Sequence, residues 1–75
     1  MTHSPCFYIT LDSSLLTAAA YYSLDQTLEL KFHNGTVYRY FSVPVTVFRD
    51  LIVAPSKGNY FNRNVRKCFP YQRVA

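Results

Sequence analysis

The feature that most restricts the possible folds of this chain is a β-hairpin signal near its middle. Residues 27–33 alternate between apolar and polar side chains, and this alternation indicates a strand with one buried face. The Asn34-Gly35 pair that follows is typical of a tight connection between two antiparallel strands. We therefore predict a hairpin whose second strand begins shortly after this pair.

Two pairings of the hairpin strands are open. A two-residue loop pairs Leu30 with Arg39 and places this arginine on the apolar face. A three-residue loop pairs Leu30 with Tyr38 and sets Glu29 opposite Arg39, which joins opposite charges across the strands. Because a slip of one residue moves every side chain to the other face, burial decides between them. We expect the three-residue loop, with Tyr38 and Tyr40 mostly buried and Arg39 exposed.

The segments on either side of the hairpin supply a further strand and a helix. Residues 15–22 are predicted as a strand, although their three consecutive alanines also suit a helix, which is the competing assignment. Pro44 fits the first turn of a helix, where its missing N–H has no partner to lose. Apolar side chains then recur at helical spacing until Pro55, which ends the helix.

A second short helix is predicted after this proline. Ser56 resembles its N-cap, and the helix runs to about Lys67. Phe61, Val65 and Cys68 follow helical spacing and form its apolar stripe. The predicted fold is therefore α+β, a three-stranded antiparallel β-meander followed by two short α-helices packed on one face.

The chain is short enough for a single domain. We assign residues 13–75 to this domain and residues 1–12 to an N-terminal extension. Within the extension, residues 6–11 have strong β-propensity, and they either add an edge strand or attach loosely. Cys6 and Cys68 are expected to be free thiols that behave as small apolar groups, with one disulfide as the alternative.

The charges are unevenly distributed. Residues 1–55 contain three basic and four acidic side chains, whereas residues 56–75 contain five basic and no acidic ones. A segment with this composition suits a polyanionic partner, or is simply a solvated surface. The candidate nucleic-acid-binding side chains are Lys57, Arg63, Arg66, Lys67 and Arg73, and Tyr60 and Tyr71 add aromatic faces beside them.

Two further groups of residues have both a functional and a structural interpretation. Ser56, Lys57 and Gly58 open the second helix, where free N–H groups favour an anion, or they form an ordinary capped turn. Tyr38 and Tyr40 are either a platform on which bases stack or aromatic side chains of the core.

Catalysis has little support in the sequence. His3 and His33 have no evident nucleophile and orienting acid around them, and the four acids lack the paired spacing of acid–base sites. His3, Cys6 and Cys68 are a weak zinc set, because no Cys-x-x-Cys or compact His/Cys cluster exists. We therefore expect a non-enzymatic protein without metal or cofactor.

The expected location of this protein is the cytoplasm. The start of the sequence lacks the basic and apolar regions of a signal peptide. No apolar run approaches the roughly 20 residues of a membrane span.

Three motifs in fixed order carry a resemblance to a known family. They are Tyr38-Arg39-Tyr40, Val43-Pro44 and the block at residues 54–62, which is followed by Val65-Arg66. In this order they resemble the KTSC domain, named after the C-terminus of lysine-tRNA synthetases, and specifically its stand-alone form.

The family's link to a tRNA synthetase implies an RNA partner, either tRNA or single-stranded RNA. The resemblance brings with it no established activity. A module that binds another protein, with no nucleic acid involved, is therefore the alternative.

Overall fold

The structure is a computed structural model, and it describes residues 8–75. One antiparallel sheet contains five strands in the order β1-β2-β3-β4-β5. Along the chain the elements are β1 (Ile9–Thr10), β2 (Leu16–Tyr22), β3 (Thr27–Phe32), β4 (Val37–Tyr40), α1 (Val45–Val53), α2 (Lys57–Asn64) and β5 (Tyr71–Arg73). The α+β class is confirmed. The predicted three-stranded meander is an undercount, because a short strand is added at each edge.

The hairpin has the three-residue connection. Leu30 lies opposite Tyr38, and Glu29 lies opposite Arg39. Gly35 has a φ of 91°, and its N–H donates to the carbonyl oxygen of Phe32 at 3.0 Å. Glycine adopts such a left-handed conformation without steric cost, which explains its place in this loop. The predicted register is confirmed.

The burial of the hairpin side chains differs in part from the expectation. Tyr40 is buried, but Tyr38 and Arg39 are half-buried. Glu29 points to the face away from the helices, as predicted, yet its side chain is only 7% exposed. Arg39 covers it, because Nε and Nη2 donate to Glu29 Oε1 at 3.0 and 2.8 Å. Ala20, on the neighbouring strand, leaves room for the carboxylate beside it.

The first two strands settle two alternatives. Residues 16–22 form β2, so the strand is right and the competing helix is wrong. Ile9 pairs with Ala19 and Thr10 pairs with Ala18, so the segment at residues 6–11 adds an edge strand through these two residues. The rest of this segment includes Cys6 and Phe7, which lie outside the described residues.

The second helix is shorter than the spacing predicts. It ends at Asn64, because the backbone N–H groups of Val65 and Arg66 both donate to the carbonyl oxygen of Phe61, each at 3.0 Å. Val65 is fully buried and draws the chain towards the core. Cys68 is exposed, so its assignment to the apolar stripe is wrong. The residues after Asn64 therefore do not continue the helical face.

The core lies between one face of the sheet and the two helices. Its buried members are Leu11, Leu16, Ala19, Leu28, Leu30, Tyr40, Val43, Leu51, Phe61 and Val65. Phe48 of α1 stacks on Tyr21 of β2 at 5.3 Å between ring centroids. Neither helix in the described part of the chain is long and apolar enough to cross a membrane.

Candidate functional site

A cleft of about 580 Å³ opens at the β3–β4–β5 end of the sheet. The hairpin and β5 form one side, and α2 with the segment after it forms the other. Its aromatic side chains are Phe32, Tyr38, Tyr40, Phe61, Phe69 and Tyr71. Its other side chains are Leu15, Asn34, Thr36, Asn62, Arg66 and Lys67. The cleft thus has an aromatic interior with polar and basic groups beside it.

Strand register brings three tyrosines together. Tyr38 and Tyr40 are two residues apart on β4, so both face the helices. Tyr71 of β5 lies directly opposite Tyr40. The ring of Tyr71 meets Tyr38 edge to face at 5.7 Å and Tyr40 at a tilt at 5.6 Å between centroids. Such contacts add stability beyond the area they bury. Tyr38 and Tyr40 both lie on the core side of the sheet and both line an open cleft. A role as core side chains is therefore compatible with a role as a stacking platform.

Two buried rings form the interior end of the cleft. Phe61 of α2 meets Phe32 at 5.3 Å and Tyr40 at 5.8 Å between ring centroids, both edge to face. The pKa of Tyr40 is raised to about 12, mainly by burial and also by the neighbouring Tyr38 and Tyr71 hydroxyls, while Arg66 acts in the opposite direction. Tyr40 is therefore a neutral phenol at physiological pH.

Two of the predicted basic residues reach the cleft. Arg66 and Lys67 line it, and no ion pair joins either to an acid in residues 8–75. Both side chains reach the cleft because α2 ends at Asn64, before Arg66 and Lys67. Arg63 remains in the last turn of α2 and does not line the cleft. Arg73 lies opposite Tyr38 on the same sheet face, and its Nε donates to the carbonyl oxygen of Ala75 at 3.0 Å.

The candidate anion site at the start of α2 is already engaged with the protein. Ser56 Oγ accepts the N–H of Asn59 at 3.3 Å, so its predicted role as N-cap is confirmed. Lys57 Nζ donates to the carbonyl oxygen of Ala54 at 3.0 Å, at the end of α1. Gly58 packs beside Leu15, whose Cβ would lie 3.6 Å from an added Cβ. Anion binding by these three residues stays a prediction.

Tyr60 lies apart from the other candidate tyrosines. It does not line the cleft. Burial raises the pKa of Tyr60, and the carboxylate of Asp50 on α1 raises it further. Of the four aromatic candidates, the structure therefore brings together Tyr38, Tyr40 and Tyr71.

Several cleft residues carry no sequence signal that assigns them to a binding site. Asn34 was assigned only to the hairpin turn, where its Oδ1 accepts from Thr36 N and Oγ1 at 3.0 and 2.6 Å. Asn62 entered only as the last residue of the motif block at residues 54–62. Phe69 is the exception: it had no assigned role, although an aromatic side chain beside a basic run is a recognisable binding signal.

Of the weak zinc set, only Cys68 lies within the described residues. Within residues 8–75, no three His, Cys, Asp or Glu side chains come together. His3 and Cys6, the first two members of the weak zinc set, lie outside the described residues. Cys68 is an exposed free thiol.

Comparison with known proteins connects this fold to one family. The sequence model of the KTSC domain matches residues 12–69. The crystal structure of a KTSC domain protein from Yersinia pestis superposes with a TM-score of 0.88 at 24% sequence identity, covering 95% of this chain and 100% of that one. At this identity the likeness concerns the fold alone.

Two curated relatives carry the same sequence pattern. A lysine–tRNA ligase from Nostoc sp. is 41% identical over 64 residues, which are 85% of this chain but 11% of the ligase. This chain therefore corresponds to about a ninth of that relative. A small protein from Tsukamurella paurometabola is 41% identical over 59 residues, which are 79% of this chain and 88% of that protein. The chain belongs to the KTSC domain family.

Proposed function

We propose that this protein is a non-enzymatic RNA-binding module whose site is the aromatic cleft. The observation that carries the proposal is the placement of Arg66 and Lys67 beside six aromatic rings in one open cleft. Proteins that hold single-stranded nucleic acid combine stacking rings with cations along the backbone. The proposed ligand is RNA with unpaired bases, and the protein acts in the cytoplasm.

The distribution of acids supports a polyanionic ligand. None of the four acidic side chains of the sequence lines the cleft. Glu29 is held by Arg39 on the opposite face of the sheet, and Asp50 lies near Tyr60. Arg66 and Lys67 are therefore available to phosphate groups, and the exposed Arg63 and Arg73 add positive charge.

The relatives favour RNA over other polyanions. The family occurs as a segment of a lysine–tRNA ligase, which by its name acts on tRNA. Recognition of RNA by proteins mostly uses unpaired loops and ends, where bases are free to stack on aromatic side chains.

The second candidate function is binding to another protein. The support for it comes from exposed apolar side chains and a sheet edge outside the cleft interior. Leu24, at the turn between β2 and β3, is 97% exposed, and Val53 at the end of α1 is 75% exposed. The three residues of the edge strand β5 are also exposed, and a free strand edge is able to pair with a strand of another protein. In this case the contacts would lie on these apolar side chains and the sheet edge.

Salt dependence tests the RNA proposal directly. Fluorescence anisotropy with labelled single-stranded RNA and tRNA should show binding that weakens as salt rises, because each phosphate contact releases counterions. The double variant Arg66→Ala/Lys67→Ala should bind more weakly and flatten the slope of log K against log salt by about 1.4. It should do so for all RNA sequences, because phosphate contacts carry no sequence information.

Arg49→Ala is the matched control. Arg49 is an exposed arginine of α1 that does not line the cleft, so its removal lowers the net charge without touching the site. Equal losses in the Arg49 variant and in each single cleft variant would mean that only overall charge matters. If wild-type protein binds neither RNA at low salt, the RNA proposal is wrong.

A further inference from the structure

Tyr71 differs from the other aromatic residues of the cleft. It is 59% exposed, whereas Tyr40 and Phe61 are buried and Phe32, Tyr38 and Phe69 are half-buried. Its strand, β5, is the last strand of the sheet and has a neighbour on one side. Tyr71 thus presents more ring surface to a ligand than any other aromatic side chain of the cleft.

The packing among the rings decides where a base is able to stack. Tyr71 already contacts Tyr38 and Tyr40 at centroid distances of 5.7 and 5.6 Å. Rings in direct contact leave no space for a planar base between them. A base entering the cleft must therefore lie against ring surface that is still exposed, and Tyr71 offers the largest such surface.

The cations of the cleft complement the phosphates of the same ligand. Arg66 lies close enough to Tyr40 to oppose the rise in its pKa, and Tyr40 contacts Tyr71. Lys67 follows Arg66 in the same wall. A nucleotide whose base lies on Tyr71 thus has its phosphate near positive charge that no acid of residues 8–75 neutralises.

We propose that Tyr71 is the base-stacking residue of this site: one unpaired RNA base lies on its ring while the flanking phosphates contact Arg66 and Lys67. This inference rests on the proposed function and makes it specific to one ring. Tyr71 lies outside residues 12–69, the part that matches the family model. The proposal therefore concerns a part of the cleft that the family assignment does not cover.

The test compares two ligands of equal charge, a single-stranded RNA and an abasic ribose-phosphate chain of the same length. Wild-type protein should bind the RNA roughly 5- to 150-fold more tightly, which is the range that one stacked base supplies. Tyr71→Leu keeps an apolar side chain in the cleft but removes the flat ring, and should lose most of this preference. Its affinity for the abasic chain should stay unchanged.

Tyr71→Phe is the matched control, since it keeps the ring and removes the hydroxyl, and it should retain the preference for RNA. A second measurement uses RNA containing a fluorescent adenine analogue whose emission is quenched on stacking. Wild-type protein and Tyr71→Phe should quench it, and Tyr71→Leu should not. Circular dichroism of all three proteins establishes that they are folded.

The contrary outcomes separate this inference from the proposed function. If wild-type protein binds the RNA and the abasic chain equally, or if Tyr71→Leu retains the preference, RNA binding stands and Tyr71 is not the stacking residue. If Tyr71→Leu weakens both ligands to the same extent, Tyr71 supports the cleft without contacting a base. If wild-type protein binds neither ligand at low salt, both proposals fail.

Discussion

Phe61→Ala should be among the most destabilising single substitutions in this domain. Phe61 is 4% exposed and joins α2 to the sheet through edge-to-face contacts with Phe32 and Tyr40. Truncating a buried phenylalanine to alanine costs about 3–5 kcal/mol. A domain of this length has a total stability of about 4–11 kcal/mol. The substitution should therefore remove a large part of the stability, or all of it.

A graded series keeps this measurable if Phe61→Ala does not fold. Phe61→Leu fills much of the same space but forms no edge-to-face ring contacts, so we expect a loss of about 1–2 kcal/mol. Leu24→Ala is the control, because Leu24 is 97% exposed and its removal should change stability by less than about 0.5 kcal/mol.

Urea denaturation provides the free energies of unfolding. Because the sequence contains no tryptophan, circular dichroism is the suitable signal, and linear extrapolation gives the value in water. The three variants should follow the order Leu24→Ala, Phe61→Leu, Phe61→Ala in increasing loss. Equal midpoints for Phe61→Ala and Leu24→Ala would refute the packing of α2 on the sheet through this ring.

Three further predictions concern the hairpin, the cleft and the second helix. Arg39→Met should cost about 1–3 kcal/mol, because it leaves the buried Glu29 carboxylate without its partner. The double variant Arg39→Met/Glu29→Met should recover most of this loss in the same urea assay. Equal stability of Arg39→Met and wild type would contradict the predicted cost of leaving Glu29 unpaired. Because the pKa of Tyr40 is raised to about 12 in the folded protein, folding stability should fall between about pH 10 and pH 12, where the unfolded chain releases this proton first. Tyr40→Phe should lose less stability over that range, and an identical alkaline decline in both proteins argues against the shift. Gly58→Ala should stabilise the protein by about 0.5–1 kcal/mol, because the added Cβ finds ordinary contact distances and alanine favours a helix; a clear destabilisation would show that the site lacks the space.

The central hairpin was predictable because its signals are local and agree with one another. The Asn34-Gly35 pair and the alternation of β3 indicate the hairpin, and the Glu29–Arg39 charge pair with the burial of Tyr40 selects the register that the structure shows. The start of α2 was equally local, since Ser56 caps the N–H of Asn59 three residues later. Interactions over so short a distance along the chain depend little on the rest of the fold.

The sequence left the edge strand β1 as one of two alternatives and did not indicate β5. β1 and β5 contain two and three residues, which is too short for a periodic pattern to be recognised. They exist because the sheet offers unpaired backbone groups at its edges. The N–H of Phe41, for example, donates to the carbonyl oxygen of Pro70 at 2.9 Å and leads the chain into β5.

The cleft depends most on tertiary structure. Local sequence is sufficient to place Tyr38 and Tyr40 on the helix side of β4. Tyr71 joins them only because β5 docks beside β4, and Arg66 reaches the same cleft only because α2 ends two residues before it. Local propensity sets the conformation of each segment, but the meeting of residues from distant segments is decided by packing and by backbone hydrogen bonds between them.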